Sequence, residues 1–573
     1  MSLLADKPDA TFAASGSDVL PIEAPVRVDS PDSKTWDHEC DVLVVGFGAA
    51  GACTASEAAR NGAAVTIVDR FGGGGASAKS GGVVYAGGGT LQQKSAGYDD
   101  TPEAMFDYLR REVADAVSEP TLRRFCAEST AMISWLESLG VEFDSAVPPK
   151  KTSYPADGFY LYYSGNEPVA EYGGNFPPAP RGHRVKGKGL SGSILFRALR
   201  KSAVAAGARV MTQTSVSRLV IDASGGAVVG AELRQLAPNT PESRRHRRLS
   251  RWADRMHYGA PGAAKRLRRR MVALELAKAK PLLVRARCGV VLSTGGFIFN
   301  REMVAQHAPK YSRNWQLGTA GCDGSGIRLG QSVGGDAGRL ERVSAWRFIN
   351  PPLAWVRGMV VDARGRRFCN EEVYGAKLGY EMCEHHEGKA WLIVDSALRR
   401  EALREALFGG LWAFQSVPAI VLSFAGAKRA RSIEDLARRL RMDAPSLSGA
   451  WQNYNAAARG EGVDSLGKSS GMMQPLEAPP FYAFEISADR RIFPCPAITL
   501  GGLRVDETTG VVITASEDRI TGLYAAGRAA VGIASNNYVS GLALADCISS
   551  GRRAGRCAAI AANASAGEAR AAG

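Results

Sequence analysis

The chain has 573 residues, which is enough for two to four domains and an ample hydrophobic core. Its residues are 45 % hydrophobic and 22 % charged, a balance typical of a globular protein and not of a disordered chain. The formal net charge of +14 raises the question of a nucleic-acid partner, and the answer depends on where that charge lies.

The first 37 residues are predicted to form an N-terminal extension before the first strand. They contain seven acidic and three basic residues, and they lack both a basic start and a continuous apolar stretch. A cleavable secretion signal needs both of these features. The expectation is therefore a cytoplasmic protein.

An apolar run that breaks into glycines follows the extension. Residues 41–51 read Asp-Val-Leu-Val-Val-Gly-Phe-Gly-Ala-Ala-Gly, and a helix is predicted over residues 52–61. Gly46 permits a tight turn, Gly48 lets the backbone approach a pyrophosphate, and Gly51 lets the helix lie close to the sheet. The N–H groups at the start of the helix then face the phosphates. The pattern predicts a dinucleotide-binding site.

A second strand and a glycine-rich stretch complete this pattern. The strand over residues 65–69 ends in Asp69, which is placed to accept hydrogen bonds from ribose hydroxyls. Residues 76–89 then read Ala-Ser-Ala-Lys-Ser-Gly-Gly-Val-Val-Tyr-Ala-Gly-Gly-Gly. Strand, glycines, helix, strand and acid therefore follow one another in the order that a nucleotide site requires.

Helical periodicity dominates the next part of the chain. Helices are predicted over residues 101–116, 121–139 and 192–206. Their alternation with strands favours an α/β domain around a largely parallel sheet.

A strand pair over residues 218–222 and 230–234 precedes an insertion over residues 238–280. Within the insertion, residues 244–270 contain eleven basic residues and one acid, a net +10 of the total +14. No base-reading motif accompanies this local charge, so nucleic acid is not an expected partner. A solvated or disordered loop and an amphipathic segment on anionic lipid both stay open. The apolar residues interleaved with the charges are Leu249, Trp252, Met256, Leu267 and Met271.

The region over residues 297–497 interrupts the nucleotide-binding pattern and is predicted to form a separate cap. A capping-box sequence at 432–435 opens a helix over 436–441, and residues 446–458 form a second helix. Residues 406–427 carry no charge and are long enough to cross a membrane, but glycine, glutamine, serine and proline interrupt them. A buried part of the cap or a monotopic membrane patch is therefore expected.

The strand pattern returns near the C-terminus. Residues 289–296 read as a buried strand that ends in glycines, and residues 501–506 and 510–514 lead to a Gly-Leu-Tyr-Ala-Ala-Gly-Arg sequence at 522–528. The chain thus closes the nucleotide domain at its far end. A split domain of this kind is the layout of flavoproteins rather than of simple NAD dehydrogenases.

The cysteines and histidines give no sign of a metal. The ten cysteines are scattered without a Cys-x-x-Cys pair, and the seven histidines are dispersed apart from His385 and His386. Reduced structural thiols and no metal site are therefore expected.

Together, these motifs resemble those of the fumarate reductase and 3-ketosteroid dehydrogenase superfamily of flavoproteins. The resemblance covers about residues 38–560. It implies a Rossmann-like α/β FAD-binding domain that is split into residues 38–296 and 498–560. An inserted α+β substrate-capping domain occupies residues 297–497, and residues 561–573 form a tail.

The resemblance implies FAD as the cofactor. Residues 76–89 resemble the loop over the pyrophosphate and the flavin ring, and residues 318–326 resemble an Asp-Gly turn near the flavin. Some relatives attach FAD through a histidine near this loop, but none lies between Arg70 and His183, so noncovalent FAD is expected. The predicted cofactor-binding residues are Gly46, Gly48, Ala49, Ala50, Gly51, Asp69, Arg70, Ser77, Ser80, Gly81, Gly82, Thr294, Gly295, Gly296, Asp323, Gly527, Arg528, Gly541, Leu542 and Leu544.

The C-terminal stretch bears on the substrate. Fumarate reductases hold a dicarboxylate with the arginine of an Asn-Arg-Leu-Gly-Gly pattern, and Tyr538 stands at that place here. Without a bidentate guanidinium, a small dianion is not expected. Tyr538 and Ser540 instead resemble the tyrosine and serine of Δ4-(5α)-type 3-ketosteroid dehydrogenases. In the Δ1 enzymes a glycine usually follows four residues after the tyrosine, whereas Gly541 follows after three.

A second tyrosine completes the predicted catalytic set. Residues 365–374 resemble the cap motif in which a tyrosine after Asn-Glu faces the flavin. A donor to the C3 oxygen stabilises the enolate-like transition state, and we assign this role to Tyr538, with Ser540 or a backbone N–H assisting. Tyr374 then takes the C4 proton while the C5 hydrogen leaves as hydride to flavin N5, although the two tyrosine roles are exchangeable. The aromatic residues expected to contact the steroid or to lie in the core are Tyr154, Phe159, Tyr160, Tyr162 and Tyr163.

The sequence therefore predicts an FAD-dependent Δ4-(5α) desaturation of a 3-oxosteroid. The alternatives are Δ1-desaturation or enone reduction on the same scaffold, and dicarboxylate reduction if Arg347 or Arg528 serves as the anion clamp. A non-enzymatic flavin-binding electron-transfer or membrane-scaffold subunit is a further alternative. The expected partners are a steroid, an external electron acceptor and, through residues 244–270, an anionic membrane surface that would give peripheral membrane association.

Overall fold

Residues 17–571 are described by the structure, which is a computed structural model. The strands are β1 (Val26–Val28), β2 (His38–Val45), β3 (Val65–Asp69), β4 (Val83–Tyr85), β5 (Leu161–Tyr162), β6 (Gly182–Arg184), β7 (Arg209–Thr212), β8 (Thr214–Asp222), β9 (Val228–Gln235), β10 (Lys280–Leu292), β11 (Trp315–Gln316), β12 (Ala337–Gly338), β13 (Val343–Ala345), β14 (Met359–Val361), β15 (Trp391–Val394), β16 (Lys428–Ala430), β17 (Phe481–Glu485), β18 (Pro496–Thr499), β19 (Gly502–Leu503), β20 (Val511–Ile513) and β21 (Arg519–Ala525).

The helices are α1 (Ala49–Arg60), α2 (Gly75–Lys79), α3 (Leu91–Ser95), α4 (Pro102–Val113), α5 (Glu119–Ala127), α6 (Ser129–Ser138), α7 (Gly192–Ala205), α8 (Pro241–Met256), α9 (Pro261–Lys278), α10 (Arg301–His307), α11 (Ser325–Gln331), α12 (Leu353–Val356), α13 (Gly375–His385), α14 (Ser396–Phe408), α15 (Ala413–Phe424), α16 (Ile433–Leu440), α17 (Ala444–Ala458) and α18 (Leu542–Ala571). Within the described range, no helix is long and apolar enough to cross a membrane.

The central sheet has nine strands and carries the predicted nucleotide-binding domain. Its order is β1-β8-β9-β10-β2-β3-β7, and β21 pairs with β10 and with β20. The pairs β10–β2, β2–β3, β3–β7 and β10–β21 are parallel, so the strand that ends at the glycine triad lies at the centre. Helix α1 contacts both α7 and the C-terminal helix α18. The far end of the chain thus returns to the same sheet, and the predicted split α/β architecture is confirmed.

The predicted N-terminal extension takes part in this sheet. Its strand β1 pairs in parallel with β8, with Val26 opposite Val220 and Val28 opposite Asp222. The end of the extension is therefore an edge strand of the nucleotide domain rather than a separate segment. Residues 1–16 lie outside the described residues. At the other end, the predicted tail continues α18 as far as Ala571.

The inserted cap contains its own sheet. Strands β14-β15-β17-β16 form an antiparallel sheet. Along the chain, helix α12 precedes these strands and helices α13 to α17 connect them. A smaller sheet, β11-β18-β13, joins the start of the cap to its end. Because β18 spans Pro496–Thr499, the cap and the second nucleotide segment meet within one strand. The α+β character of the cap is as predicted.

One predicted helix is two helices in the structure. Residues 121–139 divide into α5 and α6, which meet at Glu128. The ψ angle of Glu128 is −1°, about 40° from the helical value, so the hydrogen-bond ladder is interrupted there. The helices predicted over residues 101–116 and 192–206 are confirmed as α4 and α7, and Thr101 caps α4 by accepting from Ala104 N.

The basic insertion is a pair of helices and not a loop. Helices α8 and α9 contact each other, and Ser243, His246, Met271 and Glu275 are buried. The apolar residues interleaved with the charges therefore mostly face the protein: Met271 is buried, and Leu249 lies against the core. Trp252 is an exception, with 49 % of its surface exposed.

Candidate active site

The glycine triad after β2 is shaped by close backbone contacts. Gly46 has a φ of +99°, and a Cβ atom there would lie 2.7 Å from the carbonyl oxygen of Ser293. A Cβ atom on Gly51 would lie 2.0 Å from the carbonyl oxygen of Gly46. Any other residue at either position would displace the turn, so the predicted reasons for glycine hold at both ends of the motif.

The start of α1 is open towards a ligand. Its N-cap residue, Gly48, makes no side-chain cap, and a Cβ atom there would meet only the Ser77 hydroxyl at 3.6 Å. The amide of Ala49 donates to that hydroxyl at 3.1 Å. Ala50 lies deeper, next to Gly527. An uncapped helix N-terminus beside a glycine and a serine is suited to a pyrophosphate.

Asp69 is fixed at the end of β3 by backbone donors. Its carboxylate accepts from the amides of Phe47 at 2.9 Å, Phe71 at 2.7 Å and Gly73 at 3.1 Å. These contacts tie the second strand to the glycine turn, and they hold the carboxylate beside the opening of α1. A carboxylate has about four lone-pair directions, so one remains for a ribose hydroxyl.

Arg70 has a role that the sequence did not indicate. Its guanidinium donates to Glu275 at 3.0 and 2.8 Å and to Asp323 at 2.9 Å. His246 Nε2 lies 2.9 Å from the same Glu275 carboxylate. Arg70 therefore connects the nucleotide domain to the basic insertion and to the Asp-Gly turn. Because Arg70 is paired with two carboxylates, its guanidinium does not offer a free positive charge to a phosphate.

The glycine-rich loop is held from both sides. The Ser80 hydroxyl donates to the Ser77 carbonyl at 2.7 Å and accepts from the Gly82 amide at 3.2 Å. The Gly81 carbonyl accepts from the Tyr154 hydroxyl at 2.9 Å. This loop thus links the cofactor cradle directly to the aromatic group around Tyr154.

Three later segments of the chain close the cradle. The Thr294 hydroxyl accepts from the amide of Gly326, and Gly295, with a φ of +84°, has no backbone within 4 Å of its Cβ position. The Gly527 amide donates to Ser550 Oγ at 2.9 Å. Gly541 has a φ of +91° and accepts from the Tyr85 amide. The remaining predicted members of this group, Gly296, Leu542 and Leu544, lie in the same segments, and both leucines are buried.

Arg528 is the charge best suited to the cofactor. Its Nη1 atom is buried and has no hydrogen-bond partner, and its Nη2 atom lies 3.8 Å from the Cys322 sulfur and 3.9 Å from the Cβ position of Gly295. No carboxylate forms an ion pair with it among the described residues. An unpaired guanidinium beside open backbone fits an anionic part of FAD.

The predicted catalytic residues come together beneath the cap. The Tyr162 hydroxyl lies 3.2 Å from Ser540 Oγ. Tyr374 and Tyr538 lie close enough to Ser540 for its hydroxyl to lower the pKa of both phenols. Tyr162, Tyr374 and Ser540 are buried, and Tyr538 is partly exposed. Tyr162 was predicted only as part of an aromatic wall, so the structure adds a third phenol to the two that the sequence indicated.

Burial sets the protonation state of this cluster. It raises the pKa of Tyr162, Tyr374 and Tyr538 above the usual phenol value, while hydrogen bonding to Ser540 opposes the rise. The three phenols are therefore protonated at neutral pH and present O–H donors. Four neighbouring hydroxyl groups, without a guanidinium among them to bind a carboxylate, suit a neutral oxygen acceptor such as a ketone.

Backbone contacts position two of the predicted catalytic residues. The amide of Tyr374 donates to Asn166 Oδ1 at 2.6 Å, and the amide of Ser540 donates to the Ser164 carbonyl at 3.0 Å. The buried Glu112 accepts from Asn166 Nδ2 at 2.8 Å. The segment after β5 thus fixes both the cap tyrosine and the C-terminal serine, a function that its sequence did not reveal.

Aromatic rings complete the surroundings of the two predicted tyrosines. Trp346 packs 4.8 Å from Tyr538, and Phe348 packs 5.0 Å from Tyr374. Of the predicted aromatic wall, Tyr154 and Tyr162 border the site through an apolar cluster with Val83. Others face elsewhere: the Tyr163 hydroxyl donates to the Pro178 carbonyl, and the guanidinium of Arg184 lies over the Tyr160 ring.

Arg347 is not available as an anion clamp. It is fully buried, and it donates to the carbonyl oxygens of Phe493 at 2.9 Å and Ser487 at 3.1 Å. Its guanidinium also lies over the Phe493 ring. Both terminal nitrogens of Arg347 already donate to backbone carbonyls and only its Nε lacks a partner, so a bidentate grip on a carboxylate would compete with these backbone hydrogen bonds.

The comparison with protein families decides the cofactor. The sequence profile of the FAD binding domain family matches residues 41–544. The chain belongs to this family. Its cofactor is FAD, and the cradle described above fits that group. Both ring nitrogens of His183 are engaged, with Thr90 Oγ1 and with the Arg181 carbonyl, so neither is free for a covalent link to FAD.

Individual relatives of this FAD-binding chain are steroid dehydrogenases. A 3-oxo-5-alpha-steroid 4-dehydrogenase from Comamonas testosteroni is 46 % identical over 523 residues, which cover 89 % of this chain and 96 % of that protein. The crystal structure of 3-ketosteroid-delta4-(5alpha)-dehydrogenase from Rhodococcus jostii RHA1 with 4-androstene-3,17-dione has a TM-score of 0.78 at 29 % identity, covering 94 % of this chain and all of that chain. The predicted superfamily is confirmed.

A more distant structure shares the fold of this FAD-binding chain. The 3-ketosteroid delta1-dehydrogenase from Sterolibacterium denitrificans has a TM-score of 0.63 at 19 % identity, and the match covers 91 % of this chain and all of that chain. In the described residues, no group of three potential ligands could hold a metal ion.

Proposed function

We propose that this FAD-dependent oxidoreductase introduces a double bond between C4 and C5 of a 3-oxosteroid, with FAD bound noncovalently. The observation that carries the proposal is the convergence of Tyr162, Tyr374 and Tyr538 on Ser540, where a dicarboxylate enzyme would place a guanidinium. The Comamonas and Rhodococcus relatives, which act on the C4 position according to their names, support the same regiochemistry.

The chain's own residues polarise the substrate ketone. The Tyr538 hydroxyl donates a hydrogen bond to the C3 oxygen, because burial keeps Tyr538 protonated. Donation to an oxygen that gains negative charge makes the neighbouring C4 hydrogen acidic. FAD, when bound, supplies the two-electron acceptor for the hydrogen that leaves C5.

Tyr374 is the residue proposed to take the C4 proton. A phenol with a raised pKa is a poor base, so Tyr374 needs a donor that stabilises its phenolate. Ser540 is that donor, because hydrogen bonding to it lowers the pKa of Tyr374. Tyr162 in turn holds the Ser540 hydroxyl at 3.2 Å. Tyr374 therefore reacts from its phenolate form, to which the Ser540 hydroxyl donates, and the C4 proton ends on the Tyr374 oxygen.

Anaerobic mixing with a saturated 5α-3-ketosteroid tests this proposal. Bleaching of the yellow flavin absorbance by the steroid, with no bleaching by succinate, is the expected result. A Tyr538→Phe variant is the matched control, because it keeps the ring and the FAD but removes the donor to C3. Bleaching by succinate, or equal bleaching rates for the variant and the unaltered enzyme, would contradict the proposal.

We also propose two partners for the enzyme, an electron acceptor and an anionic lipid surface. Turnover requires an external electron acceptor that removes electrons from the reduced flavin. The exposed guanidinium and ammonium groups of α8 and α9 form a basic surface for anionic lipid headgroups. These groups belong to Arg244, Arg245, Arg247, Arg248, Arg251, Arg255, Lys265, Arg266, Arg269 and Arg270.

Vesicle binding tests the basic surface. Sedimentation with phosphatidylserine vesicles is expected at 50 mM salt and is expected to fall in part at 500 mM salt, because the contribution of the basic surface is electrostatic. A Lys265→Glu/Arg266→Glu/Arg269→Glu variant is expected to sediment less at 50 mM salt, since it changes only exposed side chains. Equal sedimentation of this variant would contradict a role for α9.

A further inference from the structure

The helical hairpin formed by α14 and α15 exposes an unusual number of large apolar side chains. At its tip, Phe408 is 83 % exposed, and Phe424 at the end of α15 is 69 % exposed. The exposed residues of this apolar tip surface are Leu407, Phe408, Phe414, Val417, Val421 and Phe424. Contiguous apolar exposure of this kind marks an interaction surface rather than ordinary scatter.

Helix α15 presents its apolar face to the outside. Phe414, Val417, Val421 and Phe424 recur at intervals of three, four and three residues, which places them on one side of the helix. The opposite side is buried and includes Gln415, Ala419, Leu422 and Ser423. A surface helix in water normally shows the reverse arrangement, so the exposed face of α15 is suited to an apolar medium.

The apolar tip surface continues into the active site. The ring of Phe414 lies 6.3 Å from that of Tyr154, and Trp412 lies 6.4 Å from the same ring. Tyr154 in turn belongs to the apolar cluster that contains Tyr162, whose hydroxyl contacts Ser540. Tyr154 therefore lies between Phe414 of the apolar tip surface and Tyr162 of the hydroxyl cluster.

The charged residues around the apolar tip surface indicate which medium it contacts. Exposed basic residues border the apolar tip surface on both sides: Arg400 and Arg404 on α14, and Lys428, Arg429 and Arg431 just after α15. Between them, residues 406–427 contain no carboxylate. Apolar side chains edged by cations match the interface of an anionic bilayer. A symmetric dimer through this surface would instead place the two cationic borders against each other.

We propose that the α14–α15 hairpin inserts its apolar tip surface into the interface of an anionic membrane and admits the steroid from the lipid to Tyr162 and Ser540. This inference rests on the proposed steroid dehydrogenase function. It adds the place where the substrate enters, and an attachment that, unlike the basic surface of α8 and α9, does not depend on low salt.

The test replaces three exposed side chains that make no contact with the hydroxyl cluster. The variant is Leu407→Gln/Phe408→Gln/Val417→Gln, and the matched control is Leu91→Gln/Val463→Gln, which removes apolar side chains that are 68 % and 95 % exposed elsewhere. Both proteins are loaded with FAD. Flotation with vesicles of phosphatidylcholine and phosphatidylserine is measured at 500 mM salt, where the basic surface contributes little.

The unaltered enzyme and the control are expected to float at 500 mM salt. The fraction of the hairpin variant that floats is expected to be at least tenfold smaller. Turnover of steroid supplied in vesicles is expected to fall at least tenfold in the variant, whereas turnover of steroid supplied in cyclodextrin stays unchanged. Equal flotation of the hairpin variant would overturn the proposal. So would a concentration-dependent dimer of the unaltered enzyme that the variant abolishes, because a second copy would then cover the surface.

The two proposals fail in different ways. If the unaltered enzyme does not turn over a 3-oxosteroid supplied in cyclodextrin, the dehydrogenase function is wrong, and flotation still decides whether the hairpin docks on lipid. If cyclodextrin supports turnover and vesicles support it equally in the hairpin variant, only the access route is wrong.

Discussion

Replacing Tyr162 by phenylalanine removes one hydroxyl from the catalytic cluster and leaves its ring in place. The lost contact is the 3.2 Å hydrogen bond to Ser540 Oγ, in a site where both side chains are buried. A neutral hydrogen bond of this kind contributes about 1–1.5 kcal/mol. Because about 1.4 kcal/mol corresponds to a factor of ten in rate, kcat is expected to fall about five- to tenfold.

The adjacent residue supplies the control. Tyr163 points away from the cluster, and its hydroxyl donates to the Pro178 carbonyl. A Tyr163→Phe variant is therefore expected to keep kcat within about twofold. Steady-state turnover of a saturated 5α-3-ketosteroid with an artificial electron acceptor measures both variants, and the flavin absorbance spectrum shows whether FAD is retained.

A double-mutant cycle tests whether Tyr162 acts through Ser540. If Tyr162 acts only through Ser540, then Tyr162→Phe has little further effect in a Ser540→Ala background. Full additivity of the two substitutions, or an effect of Tyr163→Phe as large as that of Tyr162→Phe, would refute the assignment of Tyr162 to the cluster.

Three further predictions concern the base, the cofactor and pH. Tyr374→Phe is expected to lower kcat about a hundredfold or more with FAD still bound, as measured by turnover and flavin absorbance; unchanged turnover would refute its role as the base. Arg528→Ala is expected to weaken FAD binding about ten- to a hundredfold, since a charge-assisted hydrogen bond contributes about 1.5–3 kcal/mol; flavin fluorescence titration measures it, and unaltered affinity would contradict the assignment. Burial raises the pKa of Glu275, but the charge of Arg70 and the hydrogen bonds from Arg70 and His246 outweigh it and lower the pKa from 4.5 to about 2. The resulting stability, about 3 kcal/mol, is present above pH 4.5 and is lost as the pH falls from about 4.5 to 2. The free energy of unfolding of Glu275→Gln, measured by chemical denaturation, should therefore be lower at pH 7 and should fall less between pH 4.5 and 2 than that of the unaltered protein. An equal pH dependence in the two proteins would contradict this prediction.

The nucleotide domain was predictable because its physical requirements are local. A tight turn, a close backbone approach and a helix start each demand glycine at a set spacing, so residues 46–51 specify their own geometry. The proposed catalytic residues Tyr538 and Ser540 could also be predicted from the sequence, because a tyrosine in place of an expected arginine changes the charge of the site. These inferences depend on short stretches of sequence.

The remaining features depend on contacts between distant parts of the chain. Tyr162 and Tyr163 are adjacent tyrosines at strand β5, and only the fold decides which one faces Ser540. Arg70 resembles a cofactor ligand in the sequence, but Glu275 lies 205 residues away and binds it. The basic insertion shows why charge counts mislead: most of the apolar residues between its charges face the protein, while the larger exposed apolar surface lies on the cap hairpin, mainly within the uncharged residues 406–427.

The position of the new double bond after one anaerobic turnover tests the central claim most directly. A saturated 5α-3-ketosteroid is mixed with the FAD-loaded enzyme, and the product is identified by NMR. The account predicts a 4-ene-3-ketone together with bleaching of the flavin. A 1-ene product, or an unchanged steroid with flavin that bleaches only with a dicarboxylate, would contradict it.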